Sequence, residues 1–202
     1  MSKMKSKAIS LLAITMFSII FFTGSFISLY ATQYHFNQEC MMENYTIAQT
    51  ASKNIIGIEC RTSNAPEDGP QDIPRLWGQF YSEDVISKIP NKASNEVIAL
   101  YCDYEGDYTQ PYSLVIGCSV TSLDDIPDGM VAKTIPAGSY AVFRAIGEYP
   151  ASLIETWGNI WQTKLKRTYT GDYEFYGEKF TSGLPQELEV YIAIEKEAPN
   201  SN

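Results

Sequence analysis

The sequence predicts an α+β domain: a duplicated strand–helix–strand–strand unit forming an antiparallel sheet, with two helices on one face and a groove between the halves. Two segments space apolar residues as amphipathic helices do. Ile73, Leu76, Trp77, Phe80 and Tyr81 make the first stripe; Leu153, Ile154, Trp157, Ile160, Trp161 and Leu165 make the second. The segments around them alternate apolar and polar side chains with the period of a strand. The elements then run strand, helix, strand, strand, twice over, an order that gathers helices on one face of an antiparallel sheet.

In chain order, Ile55 to Arg61 reads as the first strand. Asn64 to Asp72, holding Pro66, Gly69 and Pro70, reads as a loop. Asp72 is a candidate N-cap, Pro74 falls near the first turn, and the helix is expected to run to about Ser87. Glu96 to Tyr104 is a second strand, with Val97, Ala99 and Tyr101 on one face and Ile98, Leu100 and Cys102 on the other. A polar loop leads to a third, Tyr112 to Thr121, in which Gly117 permits close backbone approach. Met130 to Gly147 is a long strand region bent at Pro136-Ala137-Gly138, with Tyr140, Val142 and Arg144 sharing a face. Pro150 opens a second helix, to about Arg167. Tyr173 to Tyr176 and Glu187 to Glu195 complete the strands. The domain is thus expected over 44–196, with a linker at 32–43 and a polar, disordered tail at 197–202.

The N-terminus reads as an export signal. Lys3, Lys5 and Lys7 precede an apolar run from Ala8 to Ala31, interrupted by Thr23-Gly24-Ser25. Residues 1–31 suit either a cleaved signal peptide or a retained membrane anchor. Both place the domain outside the cytoplasm, periplasmic or secreted, and membrane contact is expected only through this segment. Export also permits disulfides among Cys40, Cys60, Cys102 and Cys118. Cys102 and Cys118, on consecutive strands, are candidate neighbours; buried free thiols are the alternative.

With 24 acidic against 15 basic residues and a net charge of −9, the chain shows no basic patch. Nucleic acid is therefore not an expected partner; a cationic or neutral small molecule fits better. There is no C-x-x-C, and the single histidine, His35, lies outside the domain. No metal or cofactor is expected. No Ser/His/Asp or Cys/His set marks a catalytic centre.

Tyr173-Glu174-Phe175-Tyr176 is the stretch that carries chemistry. In a strand, Glu174 and Tyr176 face one way and Tyr173 and Phe175 the other. An acid beside a ring on an inward face suits a pocket for a flat, apolar cation; on an outward face it is a solvated glutamate.

Several pieces together resemble a family. They are Ile73-Pro74-x-Leu76-Trp77-x-x-Phe80, Gly117, Ile135-Pro136-Ala137-Gly138-x-Tyr140-Ala141-Val142-Phe143, Tyr173-Glu174-Phe175-Tyr176 and Glu189-Val190-Tyr191-Ile192-Ala193-Ile194. In order and spacing they resemble the AraC effector-binding, gyrase-inhibitor-like small-molecule-binding domain. The resemblance implies the duplicated fold, a ligand groove between the halves, and Glu174 at the pocket floor beside Tyr176. It makes Trp77, Tyr101, Tyr140, Trp157 and Tyr191 the expected aromatic walls, although the sequence does not separate wall from core. Arg144 is a candidate partner for Glu174. An export segment stands where many relatives carry a DNA-binding domain, which argues against direct transcriptional control. Three functions follow: an extracytoplasmic small-molecule receptor, a hydrolase with Glu174 as general base and Tyr140 or Tyr176 orienting the substrate, or a protein-interaction module.

Overall fold

The computed structural model describes residues 45–196. The regions 1–31 and 197–202 and the whole linker 32–43, with Cys40, lie outside the described residues. Among those described, no helix is long and apolar enough to cross a membrane.

Eight strands form one antiparallel sheet: β1 (Tyr45–Thr50), β2 (Lys53–Thr62), β3 (Lys92–Cys102), β4 (Tyr112–Val120), β5 (Val131–Ile135), β6 (Gly138–Ile146), β7 (Asp172–Tyr176) and β8 (Glu187–Ile194). Their order is β1-β6-β8-β7-β3-β4-β2-β5. The helices are α1 (Gly69–Ser82), α2 (Val85–Lys88), α3 (Ala151–Gln162) and α4 (Glu178–Thr181).

The two halves are built alike. β2-α1-β3-β4 and β6-α3-β7-β8 each place their last strand between the other two, and the halves join where β3 pairs with β7. Each half also begins with a strand it gives to the other: β1 pairs with β6, and β5 with β2. Only residues 51–52 separate β1 from β2, and only 136–137 separate β5 from β6. So short a reach from one edge of the order to beside the other means that the sheet curls until its edges nearly meet.

This curl makes two cores. On one face, Leu76 and Phe80 of α1 and Leu153 and Ile160 of α3 pack on Ile56, Ile116, Phe143 and Val190. On the other face, Ile55 and Ile135 pack with Leu100, Tyr140, Val142 and Tyr173. Among the described residues no helix contributes to that second core, whose members come from both ends of the strand order. Gly57 and Gly117 stand opposite one another in the β2–β4 ladder. A Cβ on Gly117 would collide with the Ile56 carbonyl, so the close approach expected there is real.

Several local expectations are corrected. The first helix begins at Gly69 and ends at Ser82. Pro70 occupies its first turn and Asp72 lies inside it as a first-turn acid rather than as the cap. The second helix ends at Gln162, leaving Leu165 and Arg167 in the following loop. Tyr81, Ile154 and Trp161, read as buried stripe, are exposed at 67%, 68% and 44%. The bent 130–147 region is two strands, and β1, α2 and α4 were not expected. Cys60, Cys102 and Cys118 are free thiols. Cys102 stands opposite Ser113, and Cys118 opposite Val97, on opposite faces of the sheet, so the two cannot bridge.

Candidate ligand-binding site

The site lies at the seam of the two halves. β3 and β7 pair through Val97↔Tyr176, Ile98↔Phe175, Ala99↔Glu174, Leu100↔Tyr173 and Tyr101↔Asp172. Glu174 therefore stands at the middle of the ladder, on the face that carries the helices. It is only 2% exposed, which excludes the solvated-face reading.

Its carboxylate is held by three donors. The Tyr101 hydroxyl donates to Oε1 at 2.8 Å, and the Trp157 indole Nε1 donates to the same oxygen at 2.7 Å. The Tyr176 hydroxyl donates to Oε2 at 2.7 Å. Burial pushes the Glu174 carboxyl above its usual range, and the hydrogen bonds from Trp157, Tyr176 and Tyr101 oppose that rise without cancelling it. Burial and the neighbouring carboxylate drive the Tyr101 hydroxyl well above the usual phenol range, so it remains a donor.

Above this floor is a cleft of about 730 Å3 between α1 and α3. Trp77, Tyr149, Leu153, Trp157 and Trp161 line it with Tyr101 and Tyr176. Among the described residues, Glu174 is the only Asp, Glu, Lys or Arg that lines it. The Trp77 ring stands edge-on to Tyr176, with centroids 5.0 Å apart, and Trp157 meets Tyr101 in the same way at 5.2 Å. The result is an apolar, aromatic box with one acid at its base. An acid and aromatic rings so placed supply a negative charge and ring quadrupoles to the same cleft.

A repeat that the hydrophobic pattern alone did not show explains this geometry. A constant offset of 80 residues aligns Pro70 with Pro150, Ile73 with Leu153, Trp77 with Trp157, Gly78 with Gly158 and Phe80 with Ile160. A two-fold axis through the central Ala99↔Glu174 pair of the β3–β7 ladder likewise carries Tyr101 onto the position of Tyr176 and Ala99 onto that of Glu174. The groove is thus nearly two-fold symmetric, except that Ala99 stands where a second acid would be. The shared Pro…Trp-Gly spacing was the available signal.

Of the seven expected site residues, Glu174, Tyr176, Trp77, Tyr101 and Trp157 come together. Tyr140 and Tyr191 do not; they lie on the opposite face, and their placement as walls is corrected. Tyr191 stacks on Tyr173 at 4.4 Å, directly across the β7–β8 ladder, and the Tyr140 hydroxyl donates to the Pro136 carbonyl. Arg144 also faces away and pairs at 3.7 Å with Glu187, not with Glu174. Tyr149, Leu153 and Trp161 are cleft residues that the site reading missed. Among the described residues, no group of three or more His, Cys, Asp or Glu side chains is placed to hold a metal ion.

Fold and site together define a small-molecule-binding effector domain of the gyrase-inhibitor-like class. The chain belongs to the Cass2 family of integron-associated effector binding proteins, whose profile matches residues 46–199. It is 32% identical over 149 residues to YobU of Bacillus subtilis (strain 168), named as a transcriptional regulator; the match covers 71% of this chain and 93% of YobU. The integron cassette protein VCH_CASS2 of Vibrio cholerae superposes with a TM-score of 0.61 at 30% identity, over 75% of this chain and 95% of that one. SAV2435, solved with tetraphenylphosphonium bound, superposes with a TM-score of 0.62 at 20% identity, over 76% of this chain and 94% of that one.

Proposed function

We propose that this protein is an exported receptor or scavenger that holds an amphipathic aromatic cation in the cleft, with the cation's charge on Glu174. The observation that carries this is the buried Glu174 carboxylate, alone in charge among aromatic walls. A bare carboxylate is costly to bury. Three neutral donors reduce that cost, and a cation supplies the missing charge. The near two-fold groove favours a ligand whose charge lies between two flat arms, one against each tryptophan. The tetraphenylphosphonium carried by SAV2435, a protein of the same fold, supports an aromatic cation here. With Oε1 taken by two donors and Oε2 by one, the carboxylate is suited to holding charge rather than to taking a proton from water, which favours binding over hydrolysis. The acidic balance and the 1–31 segment support export without a nucleic-acid partner.

A thermal-shift screen of the full chain tests this reading. Ligand that binds only the native state raises the melting temperature by mass action. Aromatic cations should raise it for the native sequence and not for Glu174→Gln. A protein that responds equally with and without the acid, or only to neutral ligands, contradicts the cation assignment.

A further inference from the structure

The cleft does not end at Trp157. A second cavity of about 190 Å3 continues it, with Asn64, Tyr101, Trp157 and Trp161 as shared walls. Tyr104, Tyr108, Tyr112 and Arg167 line this end chamber and not the main cleft. The near two-fold symmetry of the groove breaks here. At the matching end, Tyr149 and Phe180 stand edge-on to Tyr176, with centroids 6.4 and 5.0 Å away. Tyr81 there stacks on Trp77 at 5.7 Å and 20°. Trp161, which the offset of 80 residues aligns with Tyr81, is tilted at 35° to Trp157 and stacks on Tyr108 at 6.0 Å and 13°. The ring that would lie flat on Trp157 lies flat on a residue of the β3–β4 loop instead, and the chamber opens between that loop and α3.

The polar tips of the chamber's walls are turned to internal partners. Tyr101 and Trp157 donate to Glu174. The Tyr104 hydroxyl donates to Asp172 at 3.0 Å, and the Tyr112 hydroxyl to Asn64 Oδ1 at 2.9 Å. The Asn64 amide in turn donates to the Tyr108 carbonyl at 2.7 Å. Arg167 is balanced by Asp172 at 2.6 Å, so its charge calls for no further partner. What these side chains present to the chamber is ring carbon. An apolar cavity of about 150 Å3 takes up benzene, so 190 Å3 gives room for one six-membered ring and not for a fused pair.

Resting on the reading that the cleft takes a cation at Glu174, we propose that the end chamber is a third-ring subsite. It receives one uncharged, phenyl-sized arm of the ligand, while the other two arms lie against Trp77 and Trp157. The ligand class is then a three-armed aromatic monocation, held in one orientation because only the α3 end carries the third ring. A second positive charge on that arm would meet Arg167 and has no acid in the chamber to pair with.

The test titrates methyl-diphenylphosphonium cations into the full chain and follows tryptophan fluorescence. The fourth group is a second methyl in the parent, a phenyl on a graded alkyl link, or a naphthyl on the same links. At the best-fitting length the phenyl arm should bind on the order of tenfold tighter than the parent, and the naphthyl arm should bind less well than the phenyl. Isotope-filtered NMR should place the phenyl ring against Tyr104 and Tyr112. Tyr108→Ala widens the chamber and keeps the backbone carbonyl that holds Asn64, so there the naphthyl arm should become the tighter of the two. A phenyl arm that gains nothing at any length, contacts to Trp77 and Tyr149 in place of Tyr104 and Tyr112, or a phenyl–naphthyl order that Tyr108→Ala leaves unchanged overturns the subsite. None of these touches the Glu174 reading if the parent still binds the native sequence more tightly than Glu174→Gln. A parent that binds the two proteins equally, or neither, overturns that reading and the subsite with it.

Discussion

Trp77 and Trp157 occupy matching positions in α1 and α3, yet only Trp157 donates to Glu174. The other ring packs edge-on against Tyr176 instead. One tryptophan therefore tunes the charge of the acid, and its mate supplies a wall. Trp157→Phe removes a hydrogen bond to the ionised carboxylate, which raises the Glu174 pKa further. The midpoint of cation affinity against pH should move upward, and affinity at neutral pH should fall about tenfold. Trp77→Phe should leave the midpoint where it is. A titration of affinity against pH for both variants separates the roles; the same midpoint shift from each would contradict them.

The raised Glu174 pKa has a consequence for stability in the absence of ligand. An acid whose pKa is higher folded than unfolded stabilises the protein below its unfolded pKa and loses that contribution as pH rises through the folded pKa. The unliganded native sequence should therefore lose stability as pH climbs above the ordinary glutamate range near 4.5. Each tenfold change in proton affinity is worth about 1.4 kcal/mol. Glu174→Gln keeps an acceptor for Tyr101 and Trp157 and can donate to the Tyr176 oxygen, so it should fold and lack this loss. Urea unfolding across the acid range measures it. A stability difference between the two proteins that does not grow with pH would count against the assignment.

Period-2 alternation placed Glu174 and Tyr176 together, because parity along one strand needs no tertiary information. The resemblance, not the alternation, made Tyr140 and Tyr191 walls, and it misplaced them because the side of the sheet they share with β7 depends on register between strands. Tyr191 lies directly across from Tyr173 rather than beside Glu174, and nothing local to β8 announces that. The α1 and α3 stripes were legible through Leu76, Phe80, Leu153 and Ile160. Tyr81, Ile154 and Trp161 carried the same periodicity but sit at the groove, since an apolar helix face does not say whether core or cleft covers it. β1 stayed hidden because half its residues are exposed and its partner, β6, is remote in sequence.

The two arginines Arg167 and Arg144 should behave differently. Arg167→Leu strands the buried Asp172 charge and should cost about 3–5 kcal/mol. Arg144→Ala removes an exposed pair with Glu187 and should cost at most about 1 kcal/mol. Chemical denaturation of the two variants checks this, and a small loss at Arg167 would mean that Asp172 is neutral in the folded protein.

Residues 1–31 should direct the domain out of the cytoplasm. A fusion of the full chain to a phosphatase active only outside the cytoplasm should be active, and deletion of 1–31 should abolish that activity. An active cytoplasmic reporter fused to the full chain would instead return the protein to the cell interior.

The role proposed for Glu174 is to select the ligand by its charge. Calorimetric titration of tetraphenylphosphonium into the native sequence and into Glu174→Gln tests it most directly. Binding should weaken by about ten- to a hundredfold in the variant, or about 1.4–2.7 kcal/mol, with the fold retained. Equal affinity for the two proteins would mean that the aromatic walls alone do the binding and that Glu174 has no part in it.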